Sequence, residues 1–336
     1  MTLNMNRLFL TACSALALGA CTTVGPDFRS PAPQAPAQQP FVGAASPLFT
    51  GNEPPGRWWS LFDDPVLDRL VQQALSANTD LRVAAANLAR ARAALQETRA
   101  GRLPTTTVSG SVTNVQQPDP LPDGTSFDAG FDIGYQLDLF GRIRRATEAS
   151  RADVEAVQAA FDVTRITVAA ETARAYADAC SAGRQLEVAR ETVRLQELTF
   201  DLTRRLVQGG RGTALDTGQA GSLLEQTRAT LPTLEAQRQT ALFRLAVLTG
   251  TPPVQFPMDA ATCDDALTLA RPIPVGSGAS LLARRPDVRQ AERQLAAATA
   301  RIGVATAELY PDVSIGASVG YSGVSPSSAA APSGLR

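Results

Sequence analysis

Apolar and polar positions alternate along this chain with two different periods, and the period changes at a proline. Val66, Leu67, Leu70, Val71 and Leu75 recur at helical spacing, with Asp64 placed to cap the first turn and Pro65 at the first helical position. A second helix is expected from Asp80 to about Arg102, rich in Ala on one side and Arg on the other, and Pro104 ends it. Beyond Pro104 the period drops to two. Thr105 to Val115 and Thr125 to Leu139 read as a strand pair joined through the turn residues Pro118 to Gly124. In the second strand Phe127, Ala129, Phe131, Ile133, Tyr135, Leu137 and Leu139 share one face. Asp128, Gly130, Asp132, Gly134, Gln136 and Asp138 share the other.

From Gly141 to Thr249 the pattern is almost wholly helical. A helix is expected from Arg142 to about Ala182; at about 1.5 Å per residue its roughly 40 residues reach about 60 Å, longer than a globular core requires. The next, Gln185 to Val207, carries two seven-residue stripes side by side: Leu186, Val193, Phe200 and Val207, then Val188, Leu195 and Leu202. One stripe gives a two-helix seam. Two stripes let the helix touch a neighbour on each side, as a closed tube of helices requires. Gly209-Gly210-Arg211-Gly212-Thr213 predicts a tight hairpin tip. A third long helix, carrying Leu224, Leu231, Leu234, Ala241 and Leu248, should kink or lose a backbone hydrogen bond at Pro232.

The helix that runs into a proline and emerges as a strand occurs twice. Asp80, Arg82, Ala84, Leu88, Ala100, Pro104, Ser111 and Val112 return as Asp287, Arg289, Ala291, Leu295, Ala307, Pro311, Ser318 and Val319, at one ungapped offset of 311 − 104 = 207. A repeat of that length predicts one supersecondary unit used twice in a pseudo-symmetric architecture. In the second copy Val313, Ile315, Ala317, Val319 and Tyr321 alternate with Ser314, Gly316, Ser318, Gly320 and Ser322. Two environments demand such alternation: a half-buried strand of a soluble sheet, or a membrane barrel with lipid on one side and water on the other. Too few strands are present to close a barrel within one chain, and open edges are not tolerated in lipid. The barrel reading therefore requires several subunits to share their strands. For the helices the alternative is a soluble coiled-coil scaffold, which periodicity alone does not exclude.

Composition narrows the chemistry. The 336 residues carry a formal net charge of −1 and no His, and all 31 basic residues are Arg. With a pI near 5.7 the chain lacks the basic face of a nucleic-acid partner. Without His the commonest general base and transition-metal ligand are missing, so no enzyme, cofactor or metal site is expected. Residues 1–20 read as a secretory signal, because the apolar run Leu8 to Leu18 is too short to span a bilayer. Residues 21–57, rich in Pro, Ala and Gln, read as an extended tether. Residues 58–250 then form the first repeat, 251–280 a connector, 281–324 the start of the second repeat, and 325–336 a flexible end. Trp58 and Trp59 read as packing anchors. Cys13 leaves with the signal, so Cys180 and Cys263 remain beside Cys21; a disulfide is permitted, and two buried thiols are the expected state.

Leu18-Gly19-Ala20-Cys21 resembles the lipobox of bacterial lipoproteins, whose cysteine becomes the lipidated first residue, and Thr22 rather than Asp next favours outer-membrane sorting. Three further stretches resemble the lipid-anchored branch of outer-membrane efflux proteins, the TolC-like channel family. They are Trp59 with Asp64-Pro65-Val66-Leu67 through Asp80-Leu81, then Asp132-Ile133-Gly134-Tyr135-Gln136-Leu137-Asp138-Leu139-Phe140-Gly141-Arg142, then Arg284-Arg285-Pro286-Asp287-Val288 through Ile302-Gly303 to Pro311. The resemblance covers nearly all of Cys21 to Val324.

It implies a mixed α and β membrane protein with a long periplasmic α-helical barrel and transmembrane β-strands pooled across a homotrimer. Of its two structural repeats the second is incomplete, since a second strand and two long helices have no counterpart before Arg336. It also implies a passive exit duct for small molecules, lipid-anchored in the bacterial outer membrane with a periplasmic extension. Such a duct docks by its helical tips onto a periplasmic adaptor and, through that, an inner-membrane proton-driven pump. Residue by residue, Cys21 is expected to carry the lipid. Gly209, Gly210, Arg211, Gly212, Thr213, Leu215 and Asp216 are expected to form the adaptor-docking tip, and Asp128, Asp132 and Asp138 to line the barrel lumen. Arg211 stands where the family usually has an apolar residue, which leaves the choice of adaptor open. The competing reading is a lipid-anchored periplasmic coiled-coil scaffold without a pore.

Overall fold

The computed structural model describes residues 23–32, 35–115 and 124–323. In chain order its elements are β1 (Phe49–Thr50), α1 (Pro65–Ala77), α2 (Thr79–Ala100), β2 (Thr105–Val115), β3 (Gly124–Leu137), α3 (Arg142–Gln208), α4 (Ala214–Arg228) and α5 (Leu231–Leu248). They continue with α6 (Met258–Ala261), β4 (Ile273–Pro274), α7 (Gly278–Arg284), α8 (Pro286–Ala307) and β5 (Val313–Gly323). The chain divides into two compact units. A sheet unit holds the chain through Pro31, Leu88–Gln158 and Arg289 onward, and a helical unit holds Ala32–Asn87 and Ala159–Val288. Among the described residues no helix is long and apolar enough to cross a membrane.

In the sheet unit β3 is the central strand, antiparallel to β2 on one side and to β5 on the other. α8 falls on the bounds of α2 shifted by the repeat offset, 79 + 207 = 286 and 100 + 207 = 307, and each helix leads into an outer strand of this sheet. β3 stops at Leu137. Asp138 and Leu139 therefore lie outside the strand in which their alternation had placed them. Asp138 is instead the acceptor that starts α3: its Oδ1 takes the Ile143 N–H at 2.9 Å and its Oδ2 the Arg144 N–H at 2.9 Å. A carboxylate is favoured there because the first helical N–H groups have no intrahelical partner.

The helical unit is organised on a core of Leu67, Leu70, Val71, Tyr176, Leu242 and Leu245. Each leucine buried this fully contributes about 1.5–3 kcal/mol relative to exposure. α1 begins as expected, with Asp64 Oδ1 accepting from Val66 N at 2.7 Å and Leu67 N at 3.0 Å, and Pro65 in the first turn. The other oxygen of Asp64 receives the Tyr176 hydroxyl at 3.1 Å. Burial and the neighbouring Asp64 carboxylate push the Tyr176 phenol well above its ordinary range. Trp59 is a buried anchor whose Nε1–H donates to Asp68 at 2.9 Å.

Three expectations for this unit change. α3 is one helix of 67 residues where the sequence suggested two. Gly183 does not break it: a Cβ there would meet the Cys263 carbonyl at 2.4 Å, so the glycine serves a close approach of the connector. Cys180 and Cys263 are not free thiols but a disulfide across a sequence separation of 83. Beside it Arg238 donates to the carbonyls of Ala261 and Cys263, the latter at 3.2 Å, so the irregular connector is held where spacing alone shows no partner. Finally, Pro232 does more than kink the third helix. The helix ends at Arg228 and restarts at Leu231, with Pro232 in the new first turn, where its missing N–H removes no bond.

The segment read as a tether is likewise not free. Phe49 and Thr50 pair in parallel with Ile273 and Pro274, and the Glu53 carboxylate pairs with Arg284 at 2.8 Å.

Candidate functional site

The register of the sheet decides what each face is made of. Across β2, β3 and β5, Val108 stands beside Phe131 and Val319, Thr106 beside Ile133 and Ala317, and Gly110 beside Ala129 and Tyr321. Because side chains alternate, the other rows are Thr107, Asp132 and Ser318; Ser109, Gly130 and Gly320; and Ser111, Asp128 and Ser322. One face is thus mostly apolar, interrupted on β2 by Thr106 and Gly110, and the other is built of Ser, Thr, Gly and Asp. Nothing among the described residues covers the apolar face: Val108 is 81% exposed, Val319 59% and Phe131 42%. Among the described residues β2 and β5 each pair with β3 alone, and three strands are too few to close a barrel.

Asp128 and Asp132 sit on the polar face, with Ser111 Oγ donating to Asp128 at 3.4 Å. Asp138 is not with them, being occupied at the start of α3. The hydroxyl-rich rows of β2 and β5 complete the face; sequence reasoning named only the aspartates, although the Ser and Thr positions carry the same period.

The second candidate region is the end of the helical hairpin. α3 runs antiparallel to α4 and α5, as the pairs Arg190–Glu235 at 2.9 Å and Glu197–Arg228 at 2.6 Å show, joined by Arg244–Glu171. Leu186 and Val193 of the first stripe are buried, with Phe200 and Val207 partly buried. The second stripe stays open, with Val188 53%, Leu195 50% and Leu202 59% exposed. At the turn Gly210, with φ +70°, donates to Val207 O at 3.0 Å, and Arg211 N–H reaches Leu206 O at 2.8 Å. These two bonds close the last turn around a left-handed residue that glycine adopts at no cost. Thr213 and Asp216 then form a reciprocal cap on α4, the Thr213 N–H donating to Asp216 Oδ2 at 2.8 Å. That backbone bond, with the Thr213 hydroxyl, holds the Asp216 carboxyl below its ordinary range. Arg211 and Leu215 are left exposed at the tip.

Cys21 lies outside the described residues. No group of three or more His, Cys, Asp or Glu that could hold a metal ion occurs among the described residues.

Comparison with known proteins bears on both regions. The chain is 33% identical over 324 residues to the probable efflux pump outer membrane protein TtgC of Pseudomonas putida, covering 93% of this chain and 66% of that one. It is 29% identical to the probable outer membrane lipoprotein SilC of Salmonella typhimurium, with 93% and 68% covered. The solved outer-membrane channel OprN superposes with a TM-score of 0.82 at 36% identity, over 94% of this chain and 72% of that chain. The chain spans about two thirds of the length of these curated relatives. The family model for "Outer membrane efflux protein" matches residues 70–251 and 279–334. It describes a family of membrane channels and not of enzymes. The two-faced sheet and the long helical hairpin are thus features of that channel fold, and the chain belongs to the outer membrane efflux protein family.

Proposed function

We propose that the chain is the outer-membrane channel subunit of a tripartite efflux system, a passive exit duct for small molecules. The observation that carries this reading is the three-stranded sheet. An uncovered apolar face opposite a Ser, Thr, Gly and Asp face is what a lipid-facing and water-facing barrel segment needs. Three described strands are too few to close a barrel and ask for strands from further copies, and the uncovered stripe of Val188, Leu195 and Leu202 asks for helices from the same copies, which supports a homotrimer. Asp128 and Asp132 would keep the lumen wet. Asp138 takes no part in that lining. Cys21 would carry the lipid, as the kinship with a lipoprotein supports.

The hairpin tip at Gly209, Gly210, Arg211, Gly212, Thr213, Leu215 and Asp216 would dock a periplasmic adaptor and, through it, a proton-driven pump of the inner membrane. Arg211→Glu should weaken adaptor binding; unchanged affinity would remove the docking role. For the duct itself the test is extraction. Protein carrying Cys21→Ser should still need detergent to leave the outer membrane, because its sheet remains in lipid. Release by a salt or carbonate wash would instead leave a periplasmic scaffold held by its lipid alone.

A further inference from the structure

Arg145, in the first turn of α3, has 4% of its surface exposed, although it is a charged residue of a type rarely buried without partners. All three of its guanidinium nitrogens donate. Nε reaches Val24 O at 3.0 Å, one terminal nitrogen reaches Gly25 O at 3.1 Å and Asp27 Oδ1 at 2.8 Å, and the other reaches Glu148 at 2.8 Å. Three of these four partners belong to the segment that begins at Thr23. Val24 N–H adds a bond to Phe140 O at 3.2 Å. The fit is also steric. Gly25, at φ +91°, lies so close to α8 that a Cβ on it would meet Gly303 Cα at 2.4 Å, and a Cβ on Gly303 would meet Arg145 Cδ at 2.9 Å. Burial opposes the Arg145 charge, and its bonds to Asp27 and Glu148 outweigh that opposition, raising its pKa.

The segment has a direction. Gly25 lies at Gly303, Phe28 packs near Ala296 and Ala297 with Arg293 5.8 Å from its ring, and Ser30 bonds Glu292. It therefore descends α8 toward that helix's N-terminus, away from β5, and its upstream end is the one nearest the sheet. Phe140, which receives Val24, is three residues past the end of β3, since 140 − 137 = 3. Position 21 is two residues before Thr23, within about 7 Å of chain reach.

We propose that Arg145, Gly25 and Gly303 form a seat that registers the lipid anchor at the foot of the sheet, so that acyl chains on Cys21 enter the bilayer beside the strands. Arg145 is then a positioning residue for membrane insertion. The inference rests on Cys21 being lipidated, as proposed above. Emptying the seat moves the first held residue from Thr23, two positions past Cys21, to Phe28, seven positions past it. Effective local concentration falls with about the −3/2 power of tether length, so release should lower it about sixfold.

The test uses the full chain purified in detergent and diluted into phosphatidylethanolamine–phosphatidylglycerol vesicles, reading the rate at which it becomes resistant to urea extraction. Arg145→Ala should slow insertion about sixfold in the lipidated protein and not at all when combined with Cys21→Ser. Gly25→Val, whose side chain would collide with Gly303 and lift the segment off α8 while Arg145 is retained, should do the same. Equal slowing with and without the lipid would show a merely structural role and overturn the proposal. Mass spectrometry of the tryptic peptide Cys21–Arg29 separates the two premises: an unmodified peptide overturns the lipid reading, whereas a lipidated peptide with unchanged insertion overturns the seat.

Discussion

The two units treat the same kind of amphipathic pattern in opposite ways. In the helical unit Leu67, Leu70, Val71 and Leu245 are closed off from solvent by their own chain. In the sheet unit Val108, Val112, Ile315 and Val319 alternate just as regularly and are left uncovered. The contrast recurs within one helix, where Leu186 and Val193 are buried while Val188, Leu195 and Leu202 are exposed. A periodic apolar stripe therefore reports that two environments meet there. Whether the apolar one is the chain itself, a second copy or lipid is set by what lies beyond it.

The largest expected effect tests the covered side. Leu245→Ala removes a fully buried side chain and should cost about 2–5 kcal/mol in denaturant unfolding. Val319→Ala, equally apolar and equally periodic, should change stability in detergent by under about 0.5 kcal/mol; comparable losses would erase the contrast. Next, the two faces of the sheet are compared directly. Phe131→Arg should cost about 2–4 kcal/mol of membrane-folded stability if it faces lipid near the bilayer centre, whereas Ser111→Arg on the polar face should be tolerated. Equal effects would argue that both faces meet water.

Reduction of Cys180–Cys263 should then lower the stability of the helical unit by about 2–4 kcal/mol, as expected for a bridge closing a long loop. Thermal unfolding with and without reductant measures this. The loss should appear in the connector and α3 without changing insertion of the sheet.

The smallest effect is a pH dependence at Asp68. Bonds from Arg57 and Trp59 hold its carboxyl below the ordinary value of 3.8. Its stabilising contribution is then complete above that value and is lost as pH falls through the lowered one. Asp68→Asn should flatten the acid limb of the helical unit's stability curve below about pH 4, and an unchanged acid limb would remove Asp68 from the account.

Much of this was legible in the sequence because it depends on local rules. Asp64-Pro65 starts α1, Pro104 and Pro311 separate helix from strand, the glycines at 209, 210 and 212 make the tip, and a period of two sorts the strand residues by face. The parts that were not legible depend on neighbours distant in the chain. Asp138 keeps the strand's period but is claimed by the start of α3. Cys180 finds Cys263 only because Gly183 lets the connector approach. The Pro- and Ala-rich composition after Cys21 reads as an extended tether, and nothing local marks Gly25 as a contact for Gly303 or Arg145 as its clamp. Three-residue patterns see caps and turns; a glycine chosen for its missing Cβ shows its purpose only once the facing backbone is in place.

The central claim is that the sheet stands between lipid and water. Its most direct measurement is spin-label accessibility along β3 in the membrane-reconstituted protein, one cysteine at a time from position 126 to 136. Cys180 and Cys263 are bonded to each other, so each introduced thiol labels selectively once Cys21 is acylated or replaced. Labels at 127, 129, 131, 133 and 135 should be reached by oxygen from the bilayer, and labels at 126, 128, 130, 132, 134 and 136 by a water-soluble nickel complex. Uniform access by the nickel complex at all positions would contradict the claim.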